Sequence, residues 1–270
     1  MKQFQFKKSL GQNFLNDKNV IHKIVESAGI DKDTLVIEIG PGGGAITELM
    51  VPLAGNALLY EADDRLEGHL KDLLKNETNY EIVIGDFLKA NVVEDVLKYS
   101  YDKLYVVANL PYYITTPIIM KFVEDCLLPD KFVIMVQKEV AYRLSAKIGS
   151  RDYGSLTVFL NYYYDIKKLF DVSRNCFTPK PNVDSAIVEM SLKKDRLEVL
   201  DLGLFNRLVR DSFLYKRKTL RNNLKGYDLK IIEMVLEKYG FDLSVRAENL
   251  DLNIFVEIAN ELADKSGSLE

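Results

Sequence analysis

The sequence predicts an α/β fold: a mostly parallel sheet with an antiparallel edge, followed by a small all-helical C-terminal domain. Three observations lead there. Short β-branched runs alternate with helical segments through the first 145 residues, and such alternation builds a parallel sheet with helices on both faces. Beyond them, two strand-like stretches follow with no clear helix between. From about Asp201 onward the pattern is helical.

The elements follow in order. Residues 16–29 form a helix: Asn16 or Asp17 can cap it, Val20, Ile21, Ile24, Val25 and Ala28 make an apolar stripe, and Gly29 ends it. Residues 35–39 are a buried strand that stops at Gly40, and a helix spans 44–53. Strand 57–61, helix 64–75, strands 80–85 and 103–108, helix 116–126, strand 132–137 and helix 139–145 follow. The stretches 156–164 and 183–192 are expected to pair as a hairpin-like edge. They are joined by the proline-stiffened Phe177-Thr178-Pro179-Lys180-Pro181. Helices are expected over 202–213, 216–224, 229–239 and 249–262, with fraying at 267–270. The domain boundary falls near Lys194, giving domains 1–194 and 195–270.

Composition narrows the function classes. With 47% apolar and 28% charged residues, the chain can bury a sizeable core under a polar surface. No apolar run reaches the roughly 18 residues a membrane span needs. The first eight residues lack the apolar stretch of a secretory signal, so a cytoplasmic protein without membrane contact is expected. The two cysteines, Cys126 and Cys176, form no CxxC pair and read as reduced thiols. The two histidines, His22 and His69, lie far apart and read as surface residues, so no metal is expected. The net charge of −4 hides local clusters. Residues 207–225 carry seven basic side chains against Asp211 alone. Residues 1–25 carry five lysines, Lys7 and Lys8 among them, against Asp17 alone. Either cluster can be a solvated face or a grip on a phosphate backbone.

Glu38-Ile39-Gly40-Pro41-Gly42-Gly43-Gly44 follows a strand and opens a helix, as in Rossmann-like nucleotide folds. Its spacing also fits a dinucleotide loop with Glu61 on the ribose, so glycines alone leave NAD open. Two acids favour S-adenosylmethionine, with S-adenosylhomocysteine as product. Asp86 directly follows the third strand, where a carboxylate can accept from an adenine amine while Phe87 packs on the ring. Glu38 suits the cationic methionine end better than a pyrophosphate. Gly40, Glu61, Asp86 and Asn109 all fall at carboxyl ends of strands, the rim where ligands of such sheets bind.

Asn109-Leu110-Pro111-Tyr112 can be a turn, yet its place at that rim suits chemistry on an adenine amine. The N6 lone pair is delocalised into the ring. Two acceptors, the Asn109 side-chain oxygen and the Leu110 carbonyl, could take both N6 hydrogens and free that pair for in-line attack on a sulfonium methyl. Pro111 stiffens the loop, and Tyr112 offers a stacking face worth roughly 1–3 kcal/mol. The base must be unpaired or flipped out to reach it.

Five segments in this order resemble the KsgA-type small-subunit ribosomal RNA adenine dimethyltransferases over nearly the whole length. They are Leu10-Gly11-Gln12-Asn13-Phe14-Leu15-Asn16-Asp17, Glu38-Ile39-Gly40-Pro41-Gly42, Asn109-Leu110-Pro111-Tyr112-Tyr113-Ile114, Tyr153-Gly154-Ser155-Leu156 and Phe177-Thr178-Pro179-Lys180-Pro181-Asn182-Val183-Asp184-Ser185. The resemblance implies a Rossmann-like S-adenosylmethionine-dependent methyltransferase domain and a helical domain that binds RNA or the ribosome. It implies dimethylation of two adjacent adenosines near the 3′ end of 16S ribosomal RNA, in the immature small subunit, by an enzyme expected to be a monomer. Asn13 and Leu15 would touch the cofactor with Gly40, Gly42, Glu61, Asp86 and Asn109, and Phe177 would close the adenine pocket opposite Tyr112. Lys7, Lys8, Arg207, Arg210, Lys216, Arg217, Lys218 and Arg221 are the expected RNA contacts. The family's motif often reads Tyr-Asn after the proline, and here it is Tyr112-Tyr113. Two alternatives stand beside this reading: a 23S-directed erythromycin-resistance-type dimethyltransferase, and a non-catalytic assembly factor.

Overall fold

In the computed structural model, residues 13–267 are described. The chain runs through β1 (Phe14–Leu15), α1 (Lys18–Ala28), β2 (Thr34–Ile39), α2 (Thr47–Met50), β3 (Asn56–Glu61) and α3 (Glu67–Leu73). Then come β4 (Tyr80–Ile84), α4 (Val92–Val96), β5 (Lys103–Asn109), α5 (Thr115–Glu124), β6 (Lys131–Gln137) and α6 (Lys138–Leu144). Next are α7 (Ser155–Tyr163), β7 (Tyr164–Val172), β8 (Phe177–Thr178) and β9 (Ser185–Leu192). The remainder is helical: α8 (Leu202–Ser212), α9 (Leu220–Asn223), α10 (Leu229–Lys238) and α11 (Leu252–Gly267).

Of the described residues, one compact unit takes 13–141 and 167–192, and a second takes 142–166 and 193–267. The first unit is built on a sheet of order β4-β3-β2-β5-β6-β9-β7. The pairs among β2 to β6 are parallel, and β6 with β9 is antiparallel. Strand order reverses at β2, whose neighbours are β3 and β5, so the carboxyl ends of these three frame a crevice. β2 is buried along its whole length, as a strand covered on both faces must be. On one face lies α1, capped by the Asp17 carboxylate on the Asn19 and Val20 amides and ended by left-handed Gly29. Its Ile21, Ile24, Val25 and Ala28 recur at helical spacing and are buried. Fully burying each large one stabilises by about 1.5–3 kcal/mol. β1 and β8 make a separate two-stranded ribbon, antiparallel, with Leu15 opposite Phe177.

The second unit has its own core, in which Phe205, Leu220, Ile232, Val235, Leu236 and Phe255 are almost fully buried. Tyr153 joins that core and donates its hydroxyl to the Leu250 carbonyl at 3.1 Å.

Three expectations need correction, and one strand went unread. Residues 156–164 are not a strand: Ser155–Tyr163 is helix α7, and the strand is β7, just after it. Aromatic and β-branched residues favoured a strand reading. The buried positions Thr157, Val158, Leu160 and Tyr163 nevertheless follow a helix, and packing decides. The Thr157 hydroxyl accepts from the Gly154 amide at 3.4 Å and donates to the Arg143 carbonyl at 2.7 Å, which fixes the first turn. β7 escaped notice because Asp165, Lys167 and Lys168 interrupt its apolar pattern. The helix expected over 44–53 shrinks to Thr47–Met50, because the glycine loop spends its residues in turns. The one expected over 216–224 is helical only at Leu220–Asn223.

Candidate functional site

A cavity of about 630 Å³ opens at the carboxyl ends of β2, β3 and β5 in the first unit. Asn13, Leu15, Glu38, Gly40, Gly42, Glu61, Asp86, Asn109, Leu110, Pro111 and Tyr112 all line it. Segments far apart in the chain are therefore brought to one rim, and Leu15, Gly40, Glu61, Asn109 and Leu110 arrive as the last residue of a strand or the first after it.

The glycine loop is held open from below. Gly40 donates its amide to the Tyr60 carbonyl at 2.8 Å, continuing the ladder one residue past β2. Gly42 adopts φ 57°, and a Cβ there would sit 2.9 Å from Cε1 of Phe14. Only glycine lets the loop close onto that ring. The Gly42 amide donates to Glu61 Oε2 at 2.9 Å, and the Asp63 amide donates to Glu61 Oε1 at 2.8 Å. A carboxylate so oriented can still accept from a ligand hydroxyl. Burial raises the Glu61 pKa and the Asp63 charge adds to this, while the backbone amides of Asp63, Gly42 and Ala62 oppose the rise. His69, read as a plain surface residue, sets Nε2 3.2 Å from the Gly43 carbonyl and braces the loop from α3.

Glu38 lies deeper, at 2% exposure. The Thr47 hydroxyl donates to its Oε2 at 2.6 Å. Burial pushes its pKa up to about 8, the Thr47 bond works against this, and the nearby Glu61 charge adds to it. Asp86 is exposed; its Oδ1 accepts from the Leu88 amide at 3.0 Å and caps a short turn, and Lys89 Nζ lies 3.9 Å from Oδ2. Phe87 is buried edge-on to Tyr60 at 5.1 Å, one wall of the same space.

The Asn109 side chain is oriented by its neighbour. Its Nδ2 donates to the Asn13 carbonyl at 3.1 Å. A carbonyl can only accept, so this contact fixes which end of the amide is nitrogen and leaves Oδ1 as a free-standing acceptor. Leu110 is buried and donates its amide to the Met135 carbonyl at 3.2 Å, tying the turn to β6. The Pro111 carbonyl accepts from the Ile114 amide and the Thr115 hydroxyl, both at 3.2 Å, so the loop is stiffened by bonds as well as by the ring. Tyr112 is half-buried, and its hydroxyl lies 2.6 Å from Ser185 Oγ. Burial raises the Tyr112 pKa, so the phenol stays neutral.

Phe177 takes a different place. It is buried at 4% exposure in the apolar core with Leu15, beside the cavity but outside its lining. Phe14, Asn16, Tyr60, Tyr113 and Ile114 line the cavity without having been singled out. For Phe14 a signal existed: it lies between Asn13 and Leu15 in a segment already tied to the cofactor. Among the expected RNA contacts, Lys7 and Lys8 lie outside the described residues. Arg207, Arg210, Lys216, Arg217, Lys218 and Arg221 belong to the second unit. There Lys216 Nζ bonds the Arg151 carbonyl, and Arg210 and Arg221 make long contacts of 3.4 and 3.5 Å to Asp211 and Glu233. Both cysteines are free. Among the described residues no cluster of three metal-ligating side chains occurs, and no helix is long and apolar enough to cross a membrane.

Two solved structures share this architecture over almost their whole length. A dimethyladenosine transferase from Plasmodium falciparum matches with a TM-score of 0.78 and 28% identity, covering 94% of this chain and 98% of the other. The 23S rRNA methyltransferase ErmE matches with a TM-score of 0.74 and 26% identity, covering 93% and 100%. The class is that of the S-adenosylmethionine-dependent methyltransferases.

The sequence profile of the ribosomal RNA adenine dimethylases matches residues 3–264. A ribosomal RNA small subunit methyltransferase A from Macrococcus caseolyticus is 44% identical, covering 96% of this chain and 90% of its own. The protein of that name from Listeria welshimeri is also 44% identical, covering 97% and 92%. This chain belongs to the ribosomal RNA adenine dimethylase family. Its reaction is methyl transfer from S-adenosylmethionine to adenine in ribosomal RNA.

Proposed function

We propose that the protein dimethylates N6 of two adjacent adenosines near the 3′ end of 16S ribosomal RNA, within the immature small subunit, and acts in the cytoplasm as a monomer. The observation that carries the chemistry is the Asn109 amide, turned by the Asn13 carbonyl so that Oδ1 is the acceptor. The names of the relatives 44% identical to this chain support the small-subunit target.

The bound donor supplies an electrophilic methyl on a sulfonium. Gly40 and Gly42 let the backbone close on it, Glu61 accepts from ribose hydroxyls, and the Asp86 carboxylate accepts from the donor's adenine amine. Asn13 and Leu15 line the same space, and Glu38 meets the cationic end. On the RNA side, Asn109 Oδ1 and the Leu110 carbonyl accept the two N6 hydrogens. That draws the nitrogen toward tetrahedral geometry and releases its lone pair for in-line attack. The N6 proton then passes to solvent. Tyr112 stacks on the flipped base, and Phe177 would become its second wall only if the β1–β8 ribbon exposes it. Alignment of two held reactants supplies on the order of 7–11 kcal/mol at best. In the second unit, Arg207, Arg210, Lys216, Arg217, Lys218 and Arg221 hold phosphates, with Lys7 and Lys8 as further cations.

The match to ErmE keeps a 23S target as a second reading. One assay separates them. Purified protein and labelled S-adenosylmethionine are given unmethylated small subunits and, separately, 23S RNA. Label on two adjacent small-subunit adenosines is the expected result, and label on 23S RNA alone overturns it.

A further inference from the structure

Ser185 has no role in the methyl transfer described so far, yet its position is unusual. It is the first residue of β9 and pairs with Gln137, the last residue of β6. β9 runs against its neighbour, so its beginning lies at the rim where the parallel strands end. The next residues, Ala186, Ile187 and Val188, are buried and apolar, whereas Ser185 brings a hydroxyl to a fully buried position. Such a group costs free energy unless it is hydrogen-bonded. Its partner is Tyr112, with 2.6 Å between the two oxygens. The segment before it is anchored too: the Asp184 carbonyl accepts from the Lys138 amide at 3.0 Å, and Asp184 Oδ1 accepts from the Arg174 amide at 3.0 Å.

Tyr112 is thereby fixed at both ends. Its backbone starts the tight turn whose carbonyl at Pro111 is doubly bonded, and its hydroxyl rests on Ser185. A side chain held only at its backbone samples several staggered rotamers, and ordering one on binding weakens the complex. We propose that Ser185 is a positioning residue for the reaction, holding the Tyr112 hydroxyl so that the ring plane stands ready for the target base before RNA arrives. This rests on the proposed role of Tyr112 as the stacking face.

The test compares the full chain with Ser185→Ala, Tyr112→Phe and the double variant. Three quantities are read: kcat/KM for unmethylated small subunits, the calorimetric Kd for S-adenosylmethionine, and the melting temperature. Each single variant is expected to lower kcat/KM by about 2- to 10-fold, the scale of ordering one side chain on binding. The double variant is expected to fall no further than the worse single, since both remove the same bond. The donor Kd stays within about twofold of the parent, which a collapsed site would not allow. Reductions that multiply in the double variant overturn the proposal, and so does full activity in Tyr112→Phe. If Ser185→Ala does not fold, Tyr112→Phe, which keeps the ring, decides alone. If the parent modifies 23S RNA instead, the four proteins are compared on that RNA, so failure of the target reading and failure of the Ser185 role remain distinct.

Discussion

The strand-end rim of the first unit and the basic stretch of the second differ in how their polar groups are held. At the rim the groups with a proposed chemical task are fixed by others: Glu61 by Gly42 and Asp63, Glu38 by Thr47, Asn109 by Asn13, Tyr112 by Ser185. In the basic stretch, Arg217 and Lys218 are exposed, and the contacts of Arg210 and Arg221 to acids are long and solvent-exposed. Exposed pairs of that kind contribute about 0–1 kcal/mol. Alignment of a methyl with a nitrogen demands rigid groups, whereas a phosphate backbone is satisfied by mobile charges at the right density. The two regions therefore fail in different ways when altered.

The largest effect is expected at the rim. Asn109→Ala removes the fixed acceptor, and kcat should fall by about 10²–10³, the scale seen when one preorganised hydrogen-bonding group at a reacting centre is removed. RNA binding measured by filter retention should persist. Unchanged turnover would remove Asn109 from the chemistry. Next is the basic stretch: a variant with Lys216, Arg217, Lys218 and Arg221 all changed to Ala should bind RNA about 10- to 100-fold more weakly at low salt. Its log–log salt dependence should flatten by roughly 0.7–0.9 for each phosphate the variant no longer neutralises. The donor Kd should not move. A variant that holds RNA as tightly as the parent would rule that surface out as the RNA grip.

The smallest effect concerns Glu38. In the unfolded chain it ionises near 4.5, and in the fold only near 8. Between those values the folded state binds the extra proton, so the stability this group contributes is lost as pH rises through the window. Glu38→Gln has nothing to titrate. Its melting temperature should exceed the parent's by a few degrees at pH 8.5 and match it more closely at pH 5, since about 1 kcal/mol is worth roughly 2–4 °C in a chain of this size. Parallel melting curves across that range would mean that Glu38 is ionised in the fold throughout.

Much of the rim was legible in the sequence because each residue there is placed by local rules. A β-branched run ends, a glycine or an acid follows, and the fold brings those ends together; Glu38, Gly40, Glu61, Asp86 and Asn109 needed no more. What was not legible depends on contacts between distant segments. Ser185 meets Tyr112 across 73 positions, and Asn13 meets Asn109 across 96. The residues of α7 looked like a strand because their composition favours one, and only packing against the core of the second unit makes them a helix.

The Asn109–Asn13 bond also bears on which bases the site refuses. With one N–H of the amide committed to a backbone carbonyl, the proposed role leaves Oδ1 as the lone-pair face offered to the reacting edge. An exocyclic amine satisfies that edge. A keto oxygen, as guanine or hypoxanthine carries at the same ring position, would set lone pair against lone pair there. On the proposed role the amide would work as a filter as well as an activator, and a deaminated adenine at the target position would be turned away before any methyl could be offered to it.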